Sequence, residues 1–238
     1  MLLLTAIVLA SPPDTSEASA EELRPDLSGT WKMTVSISTA AHIPVLGDTV
    51  VETERVNLVR IIEHDGEILQ HHKPCTVQAE SQQLIGETTI PDAFVKSLPS
   101  KTYPVSLRWD GSTWTYSADL QPERMGYAES ATRMPTKVDD LDVKDTDVDG
   151  APGVTIKIRV PVFGAVDAYL VQDAHTLLEA GIVEAETITG QANVQLLEQN
   201  IIGASNPLFT RQPTITPVAE RNTFVLERVP DGSSCLDL

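Results

Sequence analysis

Apolar and polar residues alternate along several stretches of the chain, with the period of two that is typical of half-buried β-strands. In the clearest case, Leu27 to Ser38, every second residue from Trp31 to Ile37 is apolar and the residues between them are polar. The segment from Val154 to Val160 repeats this pattern. Both segments predict antiparallel strands that turn an apolar face toward a core.

Short turn signals separate the β-prone runs and predict which of them form hairpins. Asp65-Gly66 joins two such runs, and Asp110-Gly111 joins a second pair. An Asp-Gly pair favours the tight turn of a β-hairpin. Pro74, in the run after the first turn, predicts a bulge or a sheet edge because proline cannot donate to the ladder.

The segments between these runs are less regular. Residues 40–48 and 120–137 contain proline and lack a clear period, so we predict loops there. Residues 91–98 predict a short helical turn with proline at its first position. Residues 166–178 are β-prone but fit neither period well, which leaves a long strand or a helix. One or two further strands are predicted within 183–202, with a break near Gly190.

The predicted elements define a fold class. About ten strands, at most two short helices and no repeated strand–helix–strand unit indicate an all-β protein. The regular turn signals predict an antiparallel β-barrel, with a two-sheet β-sandwich as the alternative. Residues 21–238 are predicted to form a single β domain, in which residues 138–150 are an acidic connection.

The charge balance argues against two classes of partner. The chain contains 34 acidic and 17 basic residues, which gives a formal net charge of −17. Nucleic acid and anionic membrane surfaces both repel a protein with this field. The balance fits a soluble extracytoplasmic protein, or one from a salty habitat, and we expect it to bind neither.

The first twenty residues are typical of a signal peptide. Leu2 to Ala10 form an apolar run that is too short to span a bilayer. Ala18-Ser19-Ala20 supply the small residues of a cleavage site, although the charged start of most signal peptides is missing. We expect residues 1–20 to be removed and the protein to be secreted or located in the periplasm or cell envelope. The alternative is a buried N-terminal strand or helix.

The chain contains two cysteines, Cys75 and Cys235. In an exported protein, two cysteines usually form one disulfide. We therefore predict a bond that ties the C-terminal tail to a strand in the first half of the chain. In a reducing compartment, both would instead be free thiols.

One stretch has the residue types and the spacing of a site for a hard cation. Asp145, Asp147 and Asp149 alternate along a short segment, and Gly150 follows them. Alternate carboxylates of a tight loop converge on one point, and Ca2+ takes about six to eight oxygen ligands. We predict a structural Ca2+ site at these three aspartates, with a solvated acidic loop as the alternative.

The segment Asp145 to Gly153 resembles the D-x-D-x-D-G-x-P-G calcium loops of secreted bacterial proteins, and its first half resembles an EF-hand loop. It departs from the EF-hand at Ile156, where that motif has a bidentate glutamate, and a predicted strand follows instead of a helix. A missing ligand must therefore come from elsewhere. Asp139, Asp140 and Asp142 are the nearest carboxylates in the sequence.

Gly29-Thr30-Trp31 opens the first predicted strand. This G-x-W start resembles that of the calycin superfamily, which includes lipocalins, fatty-acid-binding proteins and avidins. The resemblance implies that Trp31 closes one end of a barrel and that an arginine, Arg221 or Arg228, packs on it. It also implies a cup that binds a small apolar ligand. The alternative is an ordinary strand start with a glycine before a tryptophan.

These features leave three hypotheses for function. The first is an exported, non-enzymatic β-barrel that binds a small apolar ligand or acts at the cell envelope. The second is a calcium-stabilised structural or surface protein without a ligand pocket. The third is a hydrolase with a dispersed site. The site would have to be dispersed because the sequence has no nucleophile elbow, zinc-protease helix or phosphate-binding glycine loop. A buried titratable group in a cleft would favour the third.

Overall fold

The computed structural model describes residues 24–44, 47–82, 87–160 and 163–238. The predicted signal peptide, residues 1–20, lies outside these ranges. Within them the chain forms twelve strands, one α-helix and two short 3-10 helices. The strand pairings among them are antiparallel, which confirms the all-β class. No helix in the described ranges is long and apolar enough to cross a membrane.

Strands take up most of the described chain, because its runs of β-branched residues alternate with polar ones over long stretches. The helices are short connections between them. In chain order the elements are β1 (Gly29–Ile43), β2 (Gly47–His64), β3 (Glu67–Ser81), β4 (Glu87–Thr89), α1 (Asp92–Ser97), β5 (Lys101–Trp109), β6 (Trp114–Asp119), β7 (Glu123–Met125), β8 (Val154–Val160), β9 (Gly164–Val183), β10 (Thr187–Ala204), the 3-10 helix Pro207–Phe209, β11 (Thr214–Pro217), the 3-10 helix Ala219–Arg221 and β12 (Thr223–Val229).

Hydrogen-bonded strand pairs close a circuit of eight strands. From β10 the neighbours are β12, β1, β2, β3, β5, β6 and β9, and β9 pairs in turn with β10. The remaining short strands extend this circuit: β11 pairs with β1, β7 and β8 pair with β9, and β4 pairs with β8. Each strand of the circuit therefore has a neighbour on both edges over part of its length.

β9 connects most of the sheet. One of its edges pairs with β10 between Ala168 and Val183. Its other edge pairs in succession with β8, β7 and β6. The sequence allowed either a strand or a helix over residues 166–178. This segment lies in a strand, β9. The predicted break near Gly190 is instead a register shift inside one continuous strand, β10.

Two predicted loops are wrong in part. β1 continues to Ile43 and β2 begins at Gly47, so most of residues 40–48 belong to a paired hairpin. Residues 120–137 contain β7, and the side chains of Tyr127 and Ala131 in this segment are buried. The Asp65-Gly66 hairpin turn and the helical turn at α1 are confirmed.

The main apolar core lies on the inner face of the eight-strand circuit. Trp31, Tyr116 and Phe224 are its largest side chains and are almost fully buried. Strands from all sides of the circuit contribute to this first apolar cluster, which consists of Leu27, Trp31, Met33, Val35, Val59, Ile61, Ile68, Tyr116, Ala118, Leu178, Ala180, Ile188, Ala192, Phe224 and Leu226.

A second apolar cluster lies farther along the same face, where α1 packs onto the sheet. Phe94 and Leu98, at and just after α1, contact Val154 of β8 and Leu170 of β9. Val77 of β3 packs against this cluster. Because β3 contributes Ile68 to the first cluster, the strand runs from one apolar cluster to the other.

Polar side chains separate the two apolar clusters. Between Ile68 and Val77, Gln70 and His72 occupy the inner face of β3, and both are buried. The strand register places Lys101 beside His72 and Tyr103 beside Gln70 on β5. We call this group the polar layer; its members are Arg55, Asn57, Gln70, His72, Lys101, Tyr103 and Glu123.

Cys75 and Cys235 form the predicted disulfide. Cys75 lies in a β-bulge, because Val56 and Asn57 of β2 face the three residues Pro74 to Thr76 of β3. The bulge predicted at Pro74 is therefore confirmed. The bond spans 160 residues and ties the tail after β12 to β3. In the chain-entropy model, closing so long a loop stabilises the fold by about 5 kcal/mol at most.

The buried imidazole of His72 predicts a loss of stability at mildly acidic pH. Burial, helped by the charges of Arg55 and His71, lowers the pKa of His72 to about 3. In the unfolded chain this group titrates near 6.5, so between about pH 3 and 6.5 the unfolded state binds more protons and stability falls as the pH falls. From pH 7 to pH 5 we expect this histidine to reduce the free energy of unfolding by about 2 kcal/mol.

Urea denaturation of the His72→Gln variant at both pH values measures this contribution. The variant should lose about 2 kcal/mol less than the unsubstituted protein between pH 7 and pH 5. His71→Gln, on the exposed face of the same strand, serves as the control and should keep the full loss. Equal losses in the protein and the His72 variant would show that the buried imidazole of His72 is not the source of the acid sensitivity.

Candidate functional site

The three predicted calcium ligands converge in the structure. One carboxylate oxygen from each of Asp145, Asp147 and Asp149 lies within 4.8 Å of the corresponding atoms of the other two. Asp145 and Asp149 are exposed, whereas Asp147 is buried. The cluster therefore has one carboxylate inside the protein and two at its surface, which leaves an approach from solvent.

Backbone hydrogen bonds within the loop fix the turn that brings these groups together. The carboxylate of Asp145 accepts from the backbone N–H of Asp149 at 3.2 Å and of Gly150 at 3.0 Å. The chain takes positive φ angles of 56° at Val148 and 88° at Gly150. The glycine adopts this conformation at no steric cost, whereas a β-branched valine rarely adopts it. The loop therefore holds backbone strain at Val148.

Asp147 is the only buried carboxylate of the three in this cluster. Its side chain is 5% exposed, and its Oδ2 accepts from the backbone N–H of Thr155 at 3.0 Å. Its Oδ1 is buried and has no hydrogen-bond partner among the described residues. Burial raises the pKa of Asp147, the bond from Thr155 opposes this shift, and the charges of Asp149 and Asp145 add to the rise. A bound cation would supply the partner that Oδ1 lacks.

A ladder of backbone bonds anchors the loop to the preceding connection. The N–H of Thr146 donates to Gly153 O at 3.1 Å, and the N–H of Gly153 donates to Lys144 O at 3.0 Å. Lys144 N–H donates to Gly126 O at 2.9 Å, and Gly126 N–H donates to Thr146 Oγ1 at 3.1 Å. Residues on both sides of the aspartates are thus fixed by hydrogen bonds within the protein.

Two glycines allow the aspartate loop and the connection before it to pack closely against β9. A Cβ at Gly126 would lie 2.6 Å from the backbone oxygen of Leu170, and a Cβ at Gly153 would lie 2.5 Å from the same atom. Both glycines also have positive φ angles. Any side chain at either position would push the loop away from the sheet. The aspartate loop, residues 145–150, therefore belongs to the packed fold.

The earlier aspartates do not join the cluster in the described residues. Asp140 accepts backbone bonds from Thr136 and Lys137 at 2.8 and 3.2 Å, and these bonds lower the pKa of Asp140. Asp139 and Asp142 are also outside the group of converging carboxylates. The arrangement thus provides three carboxylates, and further oxygen ligands would be backbone carbonyls or water.

At the other predicted site, Trp31 packs under an arginine. The guanidinium carbon of Arg228 lies 4.3 Å from the ring centroid of Trp31, within the range of a cation–π interaction. The indole N–H of Trp31 donates to Leu27 O at 2.9 Å. Of the two arginines considered from the sequence, Arg228 makes this contact, whereas Arg221 pairs with Glu52.

Arg228 also holds two chain segments together at this end of the circuit. It donates to the backbone oxygens of Asp26 and Ser28 in the lead to β1, at 2.8 and 2.7 Å. It donates at 2.9 Å to the backbone oxygen of Ala185, in the turn between β9 and β10. The start of β1 and the β9–β10 turn are therefore fixed by one guanidinium group.

A cleft of about 630 Å3 lies between the far end of β3 and the β4–β8 pair. Val77, Ala79 and Ile90 provide apolar lining, and Glu80 and Arg159 provide charged groups. Its volume falls within the range of about 300–1,000 Å3 that is usual for small-molecule sites. It lies away from Trp31, where side chains of the first apolar cluster pack.

The polar layer was not predicted from the sequence. Arg55 donates to Glu123 at 3.0 Å, and Lys101 lies 3.4 Å from the same carboxylate. The signal was present in the alternation of β2, where Arg55 and Asn57 share the parity of the buried residue Val59. This parity alone does not identify Arg55 as buried, because charged residues are rarely buried unless paired and its partner Glu123 is 68 residues away.

Comparisons of the chain with models of protein families, with curated proteins and with solved structures find no match. The resemblance to calycins and the resemblance to calcium loops therefore remain predictions from short motifs.

Gly29 provides a test of the contacts around Arg228 and Trp31. Its φ angle is 135°, and a Cβ there would lie 2.7 Å from Nη1 of Arg228. We expect Gly29→Ala to lower the free energy of unfolding by about 1–3 kcal/mol, measured by urea denaturation. Gly111→Ala is the control, since Gly111 also has a positive φ, 103°, but open space around it. Equal losses in the two variants would show that the Arg228 contact does not constrain Gly29.

Proposed function

We propose that this protein is an exported, calcium-stabilised β-protein of the calycin-like barrel type. The observation that carries the proposal is the buried Oδ1 of Asp147, which has no partner and lies in a cluster of three carboxylates. Without a cation, like charges repel one another and the buried oxygen remains unsatisfied. One bound ion removes both costs.

The chemistry of the donors favours calcium over other metals. The cluster offers carboxylate oxygens and no thiolate or imidazole, which suits a hard cation. Ca2+ accepts irregular sets of oxygens that include carbonyls and water, whereas Mg2+ demands near-ideal octahedral geometry. A loop with two exposed carboxylates and one buried carboxylate fits the more tolerant ion.

The position of the loop makes the proposed role structural. Asp147 binds the N–H of Thr155, the second residue of β8, so a bound ion would fix the entry to that strand. The glycine contacts with Leu170 place the same loop on β9. Calcium at this site would therefore stabilise the docking of residues 126–153 onto the sheet.

Export is supported by two independent features. The predicted signal peptide precedes the described chain, and Cys75 and Cys235 are joined in a disulfide. A disulfide is consistent with an oxidising compartment such as the periplasm or the medium. Calcium sites of weak affinity, with Kd of about 0.1–1 mM, are also typical of extracellular modules.

The calycin-like part of the proposal rests on the circuit of eight strands and on the end that Trp31 occupies. Eight antiparallel strands suffice to close a barrel whose interior is just wide enough for side chains or one small ligand. Arg228 packs on Trp31, as the resemblance implies for one arginine of the chain. Both features support a closed barrel over a two-sheet sandwich.

The cleft favours a second candidate function, the carriage of a small, mainly apolar ligand. Its volume and its apolar lining from Val77, Ala79 and Ile90 suit such a molecule. A ligand would bind at the far end of the circuit, since the first apolar cluster occupies the interior near Trp31. Calcium binding and ligand carriage are compatible, because they use different residues.

Calcium should stabilise the protein through Asp147. At a free calcium concentration ten times Kd, we expect the free energy of unfolding to increase by about 1.4 kcal/mol. Asp147→Asn should weaken calcium binding by at least about tenfold. In the presence of a chelator, the same variant should melt at a higher temperature than the unsubstituted protein, because it removes a buried unpaired charge.

Thermal melting with and without calcium measures both effects. The matched control is Asp139→Asn, which removes an exposed carboxylate outside the cluster and should leave the calcium response unchanged. An unchanged melting temperature at millimolar calcium, or a full response in the Asp147 variant, would refute the calcium proposal.

Ligand carriage is tested by filling the cleft. A neutral apolar dye, N-phenyl-naphthylamine, should fluoresce on binding the protein, and Ala79→Trp should weaken this binding at least about tenfold by occupying its space. Ala40→Trp, at an exposed position of β1, is the control. Equal dye binding by the protein and both variants would place the dye elsewhere and remove the support for carriage.

A further inference from the structure

The polar layer inside the strand circuit has an unbalanced charge. Arg55 and Lys101 both pair with the one carboxylate of Glu123, at 3.0 and 3.4 Å. Burial keeps the imidazole of His72 neutral, since it lowers the pKa of His72 to about 3. Two cations and one anion therefore leave one positive charge within the layer.

The hydrogen bonds of the layer are only partly made among the described residues. The carbonyl oxygen of Gln70 accepts from the hydroxyl of Tyr116 at 2.6 Å, and the Oδ1 of Asn57 accepts from Arg55 at 3.1 Å. Oε2 of Glu123 accepts from Arg55 at 3.0 Å, whereas its Oε1, 3.4 Å from the ammonium of Lys101, makes no hydrogen bond with the described residues. The side-chain nitrogen Nε2 of Gln70, a residue with no exposed surface, likewise has no partner among them.

His72 lies next to this unpartnered amide. Its Nε2 is also buried without a partner, and its ring contacts Tyr103 at a centroid distance of 4.9 Å. Gln70 and His72 point to the same face because they are two residues apart in one strand. Buried polar atoms without protein partners usually contact a bound molecule or an ordered water.

We propose that the polar layer binds one small monovalent anion, such as chloride or a short carboxylate, between Gln70, His72 and the Arg55–Lys101 pair. The anion supplies one negative charge, which balances the second cation, and an acceptor for the side-chain amide of Gln70. The apolar clusters on both sides limit its size, because they leave no polar surroundings for a larger charged group. The site is separate from the aspartate loop and does not depend on calcium.

Solvent reaches the layer through its two cations. The side chains of Arg55 and Lys101 are 28% and 30% exposed, whereas that of Glu123 is 14% exposed. The chain as a whole has a net charge of −17, so its overall field repels anions. Saturable anion binding therefore requires a local positive site of this kind.

Chloride is the probe for the experiment. The melting temperature of the oxidised protein is measured at constant ionic strength while sodium chloride replaces sodium gluconate, whose anion is too large for the layer. We expect a saturable rise with chloride in the unsubstituted protein, because a ligand that binds the folded state stabilises it.

Two substitutions change the charge of the layer in opposite directions. Lys101→Met leaves a neutral Arg55–Glu123 pair and should abolish the chloride response. Glu123→Gln keeps the shape of the carboxylate, adds one net positive charge and should tighten chloride binding about tenfold. Lys157→Met is the control, since it removes the same charge at an exposed position of β8 and should leave the response unchanged.

The side-chain amide of Gln70 gives a direct readout. In a 15N-labelled sample, its NH2 signals should shift with chloride at the same midpoint as the melting temperature, and Gln70→Leu should remove those signals. The proposal is overturned if chloride has no saturable effect, if Lys101→Met responds like the unsubstituted protein, or if Glu123→Gln binds chloride no better. Each of these results would mean that water alone fills the layer.

Discussion

The structure depends above all on β9, because this strand pairs with β10 on one edge and with β6, β7 and β8 on the other. Its pairing with β10 closes the circuit of eight strands, and its inner face contributes Leu170 and Leu178 to the two apolar clusters. The aspartate loop also depends on it, since Gly126 and Gly153 pack on the backbone of Leu170. Arg228 fixes the turn between β9 and β10 to Trp31. Closure, core and candidate metal site therefore share one strand.

Much of this fold was predictable from local signals in the sequence. The alternation around Trp31, the hairpin turn at Asp65-Gly66 and the bulge at Pro74 each follow from the conformational limits of a few adjacent residues. The spacing of the aspartates likewise predicted that their carboxylates converge, because alternate residues of a tight loop turn to one side. The disulfide followed from the presence of two cysteines in a chain predicted to be exported.

The remaining features depend on partners that are distant in the sequence. β1 extends past Ser38 because β2 and β11 pair with residues 39–43, and nothing within that segment indicates those partners. The polar layer is hidden for a similar reason. Arg55 and Glu123 are 68 residues apart, and each looks like a surface charge until the fold brings them together. The burial of Tyr127 also depends on distant residues, Val171 and Ile202.

The central claim is that the aspartate loop binds one calcium ion as part of the folded, exported protein. Native mass spectrometry of the mature, oxidised chain in millimolar calcium tests it most directly, because it counts bound ions on the intact fold. We predict a dominant species that carries one specifically bound calcium ion and loses that ion when Asp147 is replaced by asparagine. A dominant species without calcium, or ion binding that is identical in the variant, would contradict the account.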